Sequence, residues 1–271
     1  MNRNSNVYTV IYATLLCALV AVLLTVAAVG LKDQQKANSD NEKKQQILAS
    51  ISSVLGKEVT FENAAEIWTS LDMDNNMCTV DTKGNELQGE NAFEIVAKQQ
   101  FKAGVVKDEA KLPLFVANVN GKPYYIMCLY GAGLWDAVWG YISVEADGST
   151  IAGASFDLAS ETAGLGAKIK DDPNFAKAFI GKHVFKGNDF APVQVLKQGK
   201  TAANGADQVD AITGATKTSD CVSIIINNSL TGYKAALQKI AALSSAVSDE
   251  VVANDSVPSD SINNVEPVIA Q

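Results

Sequence analysis

Hydroxyl groups crowd one short stretch of this chain. Asp210 to Ser223 reads DAITGATKTSDCVS, so Thr213, Gly214, Ala215, Thr216, Lys217 and Thr218 stand between an acidic residue and an apolar run. A helix cap needs one hydroxyl, and three threonines leave two for other work. Gly214 and Ala215 remove side-chain bulk, which lets a ligand approach the backbone. The run after Thr218 carries Val222, Ile225, Ile226, Leu230, Tyr233, Leu237 and Ile240 on one helical face. Its first N–H groups therefore point at the turn and make a ready anion site, with Thr218 placed to cap the helix. The same spacing is equally well read as a capped strand-to-helix turn with no ligand.

Other chemistries have little support. GAGLWD and GLGAKI each open as GxG, but Asp136 and Ile169 stand where a dinucleotide fingerprint needs its third glycine. No GxxxxGK[ST] stretch occurs, so direct binding of NADH or ATP has no motif behind it. Cys17, Cys78, Cys128 and Cys221 show no CxxC spacing, which removes the usual zinc and iron–sulfur patterns. A Cys78–Cys128 disulfide stays open for a domain outside the cytoplasm. The one histidine, His183, gives a Ser–His–Asp or His-rich metal mechanism nothing to build on. No catalytic residue and no metal ligand is assigned. The net charge of −8 argues against nucleic acid, which calls for a basic footprint.

The elements that must position the threonine-rich turn can be read from hydropathy. Val7 to Gly30 is uncharged and apolar, and as a helix would span about 36 Å against about 30 Å of hydrocarbon. Tyr8 and Tyr12 lie near one end, as interfacial aromatics do. The stretch is long for the apolar core of a signal peptide, so an uncleaved single span is expected. Residues 40–56 read as an amphipathic helix with Ile47, Leu48, Ile51 and Leu55 on one face and Gly56 as a stop. ENAAEIWTSLD and NAFEIVAKQQFKAG read as two further helices. Two apolar runs flank Asn120-Gly121, the strongest short hairpin signal, and Asp147-Gly148 repeats the device. DPNFAKAFIGKHV reads as a short helix with Pro173 near its start, APVQVLKQG as a strand, and Thr218 to about Ser244 as a long helix. The fold class is α+β: antiparallel strands packed against helices after one N-terminal transmembrane helix. The expected divisions are an N-terminal segment (1–6), the span (7–31), a helical linker and lobe (32–110), the sheet domain (111–244) and an acidic, disordered tail (245–271).

Asp210-x-x-Thr213-Gly214-Ala215-Thr216-x-Thr218 resembles the D-x-x-[ST]-G-A-[TS]-x-[TS] flavinylation motif of FMN-binding domains. The likeness extends along most of the chain to about residue 240. NRNSNVYTVIYA before one apolar helix, NEKKQQILA after it, GAGLWDAVWGYISV and ETAGLGAKI occur in the order seen in the C-subunit of the Na+-translocating NADH:quinone reductases. Ala163 departs from the family's usual proline, Thr213 replaces a frequent serine, and the acidic tail lies outside the family core.

The resemblance implies FMN joined by a phosphoester to Thr216, a bond made by a flavin transferase. It implies a domain on the periplasmic side of the bacterial inner membrane that relays electrons among other membrane subunits of a Na+ pump. NADH and quinone would bind those other subunits. Thr213 would support the attachment and Lys217 would screen the phosphate or stand in solvent. Leu165 and Trp135 would cover the flat ring and Thr162 would reach a polar edge, although Trp135 also reads as plain core. Glu161 is read either as touching the flavin or as orienting backbone. Two other functions stay open: the G-subunit of a ferredoxin-linked, ion-translocating electron transport complex, and a membrane-anchored anion-binding or assembly module without redox work.

Overall fold

The computed structural model of the chain describes residues 6–102 and 104–253. It opens with α1 (Asn6–Ala49), whose apolar part leaves Val7, Leu15, Leu23 and Val29 exposed. That helix is long and apolar enough to cross a membrane. Residues from Lys44 onward make a second compact unit. Within it, α1 ends in Ile47 and Leu48, both fully buried, and Gly56 stops the short α2 (Ser52–Leu55) in the left-handed conformation. The helix expected over 40–56 is thus the end of α1 followed by a separate turn. Next comes α3 (Ala64–Ser70), which buries Ile67 and Trp68.

The centre of this unit is an antiparallel sheet in the order β1 (Met77–Val80), β4 (Leu112–Val119), β5 (Lys122–Ala132), β6 (Ala137–Val144), β7 (Ile151–Leu158). Between β1 and β4 run a 3-10 turn (Ala92–Glu94), α4 (Ala97–Gln100) and a small hairpin, β2 (Phe101–Lys102) with β3 (Val105–Val106). The single helix expected over NAFEIVAKQQFKAG is therefore broken. Ile95 and Val96 adopt extended backbone, and Asn91 accepts from the Phe93 N–H to start a turn of its own. The Asn120-Gly121 hairpin forms with both residues at positive φ, 52° and 76°, as a two-residue turn requires. At Asp147 the connection is longer: its Oδ1 accepts from the Ser149 and Thr150 N–H groups at 2.9 and 2.8 Å.

Two short helices, α5 (Lys168–Asp171) and α6 (Pro173–Lys177), follow β7. Asp172 caps α6 on the Asn174 N–H at 2.9 Å, with Pro173 in the first turn. The hairpin β8 (Phe185–Lys186) and β9 (Asp189–Phe190) leads to β10 (Gln194–Leu196). A 3-10 turn (Ala203–Gly205) then returns the chain to β11 (Gln208–Asp210), which pairs with β10 in parallel, an exception to the antiparallel rule.

The last element is α7 (Thr216–Ala253). It starts two residues before the expected Thr218 and continues past Ser244. The tail expected from residue 245 lies outside the described residues beyond Ala253. Val222, Ile226, Leu230, Tyr233 and Leu237 of α7 are fully buried against the sheet, and Ile47, Leu48, Ile51, Ile67 and Trp68 join the same core. Residues 44–110 therefore share one core with the sheet instead of forming a separate lobe. The β4–β5 ladder ends at Leu114, next to Pro113, which has no N–H to continue it. Tyr233 bridges the two strands there: its hydroxyl donates to Pro113 O at 2.7 Å and accepts from the Cys128 N–H at 3.3 Å.

Cys78 and Cys128 form no disulfide, and none of the four cysteines is disulfide-bonded. Cys78 is on β1 and Cys128 on β5, with β4 lying between. Two strand spacings of about 4.8 Å separate them by more than the roughly 7 Å limit for a disulfide.

Candidate functional site

Three turns meet at one end of the sheet. The first joins β5 to β6 at Gly133–Asp136, closed by Gly133 N–H to Asp136 O at 2.7 Å. It carries GAGLWD, which is thus a hairpin turn and no part of a βαβ unit. The second leaves β7 and runs through Glu161–Ala167, where Thr162 O accepts from the Leu165 and Ala167 N–H groups, both at 3.1 Å. The third leaves β11 through Ala211–Ala215 and enters α7, with Ala215 N–H on Ile212 O at 2.9 Å. Register fixes the first two as neighbours, since Val138 pairs with Leu158. The parallel β10–β11 pair packs against α7 and delivers the third.

Glu161 joins these turns. Its Oε1 accepts from the Leu134 N–H at 2.8 Å and the Trp135 N–H at 3.1 Å. Its Oε2 accepts from Thr218 Oγ1 at 3.1 Å. Thr218 is only 2% exposed and lies inside the first turn of α7, so it does not cap the helix as expected. The reason is the earlier helix start: a residue in the third helical position faces a neighbouring turn instead of its own N-terminus. Ser219, absent from the residues expected at the site, makes the local bond, accepting from the Ile212 N–H at 3.1 Å. Its one signal in the sequence is a further hydroxyl just inside the apolar run.

Ser219 N–H to Ala215 O, 2.9 Å, opens the main-chain ladder of α7. The N–H groups of Thr216, Lys217 and Thr218 precede that ladder and are the orphan donors of the helix start. With the aligned peptide dipoles they favour an anion. Thr216 is the first helical residue and half-buried, and Thr213, Gly214 and Lys217 are exposed while Ala215 is buried. Gly214 sits at φ +83°, and a Cβ there would come 3.1 Å from Leu165 Cδ2. The threonine turn and the Leu165 turn are therefore in direct contact.

The apolar candidates are open to solvent. Trp135 is 71% exposed, which rules out the core reading, and Leu165 is 44% exposed. Thr162 is exposed, and it shapes its turn through its backbone carbonyl. Behind Thr213, an open groove of about 650 Å³ is lined by Lys168, Lys182, Asp172 and Asp210 among others. Cys221, one turn further along α7, has its thiol pushed up by burial and then by the charges of Glu161 and Asp220. It stays protonated at neutral pH and is no rival nucleophile to a hydroxyl. Among the described residues no group of His, Cys, Asp and Glu could hold a metal ion.

These residues fit a phosphate-bearing flat ring. The orphan amides could receive an anion, the glycine leaves the approach clear, and exposed Trp135 and Leu165 offer apolar surface.

The FMN-binding domain family matches residues 133–231, the stretch that contains all three turns. The chain is 30% identical over 223 residues to the C-subunit of the Na(+)-translocating NADH-quinone reductase of Vibrio vulnificus strain YJ016, covering 79% of this chain and 85% of that protein. It is 26% identical over 240 residues to the C-subunit of the same reductase in Yersinia pestis, covering 83% and 89%. A solved structure of the C-subunit from Parabacteroides distasonis matches with a TM-score of 0.68 at 41% identity, over 76% of this chain and 96% of that one. NqrC of Shewanella oneidensis matches with a TM-score of 0.61 at 20% identity, over 76% and 99%, a likeness of fold alone.

Proposed function

The chain belongs to the family of C-subunits of the Na+-translocating NADH-quinone reductases, and on that premise we propose that it carries FMN covalently on Thr216 and relays electrons within that complex. The observation that carries the reading is the start of α7. Thr216 stands there as the first helical residue, beside orphan amides and the exposed surfaces of Trp135 and Leu165.

The residues divide the work. The amides of Thr216, Lys217 and Thr218 bind and orient the phosphate, and the Lys217 ammonium offsets its charge. The Thr216 hydroxyl gives up its proton and bonds to phosphorus. A flavin transferase makes that bond from an activated flavin nucleotide: the pyrophosphate P–O bond of the donor breaks as the Thr216 P–O bond forms, and the nucleoside monophosphate leaves with the hydroxyl proton taken up by solvent. Trp135 and Leu165 cover apolar ring surface, and Thr213 supports the attachment loop. When bound, FMN supplies the one-electron chemistry, and the protein supplies position and electrostatics. A tether suits a site this open, since it keeps the cofactor at high effective concentration whatever the noncovalent affinity.

The apolar part of α1 anchors the chain in the inner membrane, with the sheet domain on the periplasmic side. Other membrane subunits exchange electrons with it. NADH and quinone bind elsewhere in the complex, in keeping with the missing third glycines of GAGLWD and GLGAKI. Mass spectrometry of the peptide containing Thr216 tests the reading directly: it should carry the added mass of FMN on that residue. In denaturing gels, Thr216→Ala should abolish the flavin fluorescence of the band, whereas Thr213→Ala should keep much of it. Undiminished fluorescence in Thr216→Ala would place the attachment elsewhere.

A further inference from the structure

We infer that Glu161 is a positioning residue that holds the Trp135 turn and the first turn of α7 in one arrangement, so that the Thr216 hydroxyl is presented for modification. The inference rests on the attachment at Thr216 proposed above. Glu161 has two carboxylate oxygens and each is committed to a different element. Oε1 takes two successive N–H groups, of Leu134 and Trp135, at 2.8 and 3.1 Å. Oε2 takes the buried hydroxyl of Thr218 at 3.1 Å. These partners are 27, 26 and 57 residues away along the chain. The Gly133–Asp136 turn belongs to the sheet and Thr218 to α7, and this carboxylate spans from one to the other.

The surroundings are shaped to this carboxylate. A Cβ at Gly133 would lie 2.5 Å from Glu161 Oε1, and a Cβ at Gly166 would lie 2.6 Å from Oε2 and 2.7 Å from Thr218 Oγ1. Two turns thus lack side chains where the Glu161 head group and its hydroxyl partner sit. Hydrogen bonds to a charged acceptor are worth more than neutral ones, and three of them fix both turns. With its oxygens taken, Glu161 orients backbone and a hydroxyl. Trp135 and Thr216 then meet a ligand in a geometry fixed before it arrives.

The test uses the full-length chain, co-expressed in membranes with a flavin transferase, and reads the fraction of Thr216 peptide that carries FMN. Glu161→Ala removes all three acceptor contacts and should lower that fraction by about tenfold or more. Glu161→Gln keeps an acceptor oxygen for the two N–H groups, and its amide can donate to Thr218 Oγ1, so attachment should stay near the wild-type level. Gly166→Ala leaves the carboxylate in place but drives a methyl between Oε2 and Thr218 Oγ1, and should lower attachment as Glu161→Ala does. If Glu161→Ala yields no folded protein, the other two variants decide. Wild-type attachment in Glu161→Ala, a Glu161→Gln variant as defective as the alanine, or full attachment in Gly166→Ala would each overturn the inference. A wild-type chain with no FMN on Thr216 instead refutes the attachment reading, and takes this inference with it.

Discussion

Gly214→Ala separates the shape of the proposed attachment loop from the stability of the fold. Gly214 sits at φ +83°, where an L-residue with a Cβ is strained by about 1–2 kcal/mol. The new methyl would also stand 3.1 Å from Leu165 Cδ2. That contact adds little, because Leu165 is 44% exposed and its side chain can move aside. The backbone strain therefore decides the effect. At about 1.4 kcal/mol per decade, it lowers the population of the competent loop by roughly 5- to 30-fold. The rate of FMN attachment to Thr216, followed as in-gel fluorescence against time, should fall by that factor. Global stability should fall less, since an exposed loop can relax: the melting temperature should drop by no more than about 8 °C, at about 2–4 °C per kcal/mol for a domain of this size. Gly214→Asn should be milder, because asparagine tolerates positive φ better than alanine. Adding Leu165→Ala to Gly214→Ala should not restore the rate. An unchanged rate in Gly214→Ala, or rescue by Leu165→Ala, would refute the assignment of the effect to backbone conformation.

Tyr233→Phe removes the hydroxyl that bridges β4 and β5 at Pro113 and leaves Pro113 O without that donor in the core, so it should cost about 1–3 kcal/mol and lower the melting temperature by roughly 2–12 °C. A calorimetric change under about 1 °C would mean that β4 and β5 close directly. The thiol of Cys78 is pushed up to about 12 by burial and by Glu86, so native protein at pH 8 should resist iodoacetamide at Cys78. After denaturation without reductant, mass spectrometry should find both Cys78 and Cys128 alkylated, as the absence of a disulfide requires. Burial works to raise the Asp207 carboxyl, but the hydrogen bonds and charge of His183, with Lys186, outweigh it and hold the carboxyl below its usual value. A lowered folded-state value gives stability that is complete above about pH 3.9 and is lost as pH falls through the folded value. Melting curves between pH 2 and 5 should therefore fall more steeply for the wild type than for Asp207→Asn.

Local chemistry is what the sequence makes legible. Asn120-Gly121 specifies a two-residue hairpin by the conformations those two residues adopt, and the hairpin is there. Pro173 after Asp172 specifies a helix start, and Asp172 caps it. The apolar face of α7 has a 3.6-residue period that survives in any context, so Val222 to Ile240 could be placed in the core. NAFEIVAKQQFKAG failed on the same ground. Its apolar residues are few, and Asn91 and the extended Ile95 and Val96 turn the chain before a helix can propagate. Trp135 is open in the sequence between ring cover and core, because a large aromatic is buried on average; its place on a hairpin turn leaves it exposed and removes the core reading.

The start of α7 shows why a motif can be located without its mechanics. The threonine spacing marks an anion-friendly turn, but a shift of two residues in the helix start changes what each hydroxyl does. With the helix opening at Thr216, the side chain of Thr218 turns from its own helix end toward Glu161, and Ser219 accepts from the Ile212 N–H. The Glu161 partnership has no period and no short-range signal, because its partners come from the β5–β6 turn and from α7. A carboxylate that links distant turns looks in sequence like any surface glutamate. What betrays it in three dimensions is the space reserved around it by Gly133 and Gly166. The glycines proposed to serve the attachment site therefore fall into two physical kinds. Gly214 is needed for its backbone angle, and Gly166 for the room it leaves a carboxylate and a hydroxyl. Substitution by asparagine should relieve the first kind and aggravate the second, since a larger side chain at Gly166 meets Oε2 and Thr218 Oγ1 more severely. Equal attachment of FMN in Gly214→Asn and Gly166→Asn would show that this division is wrong.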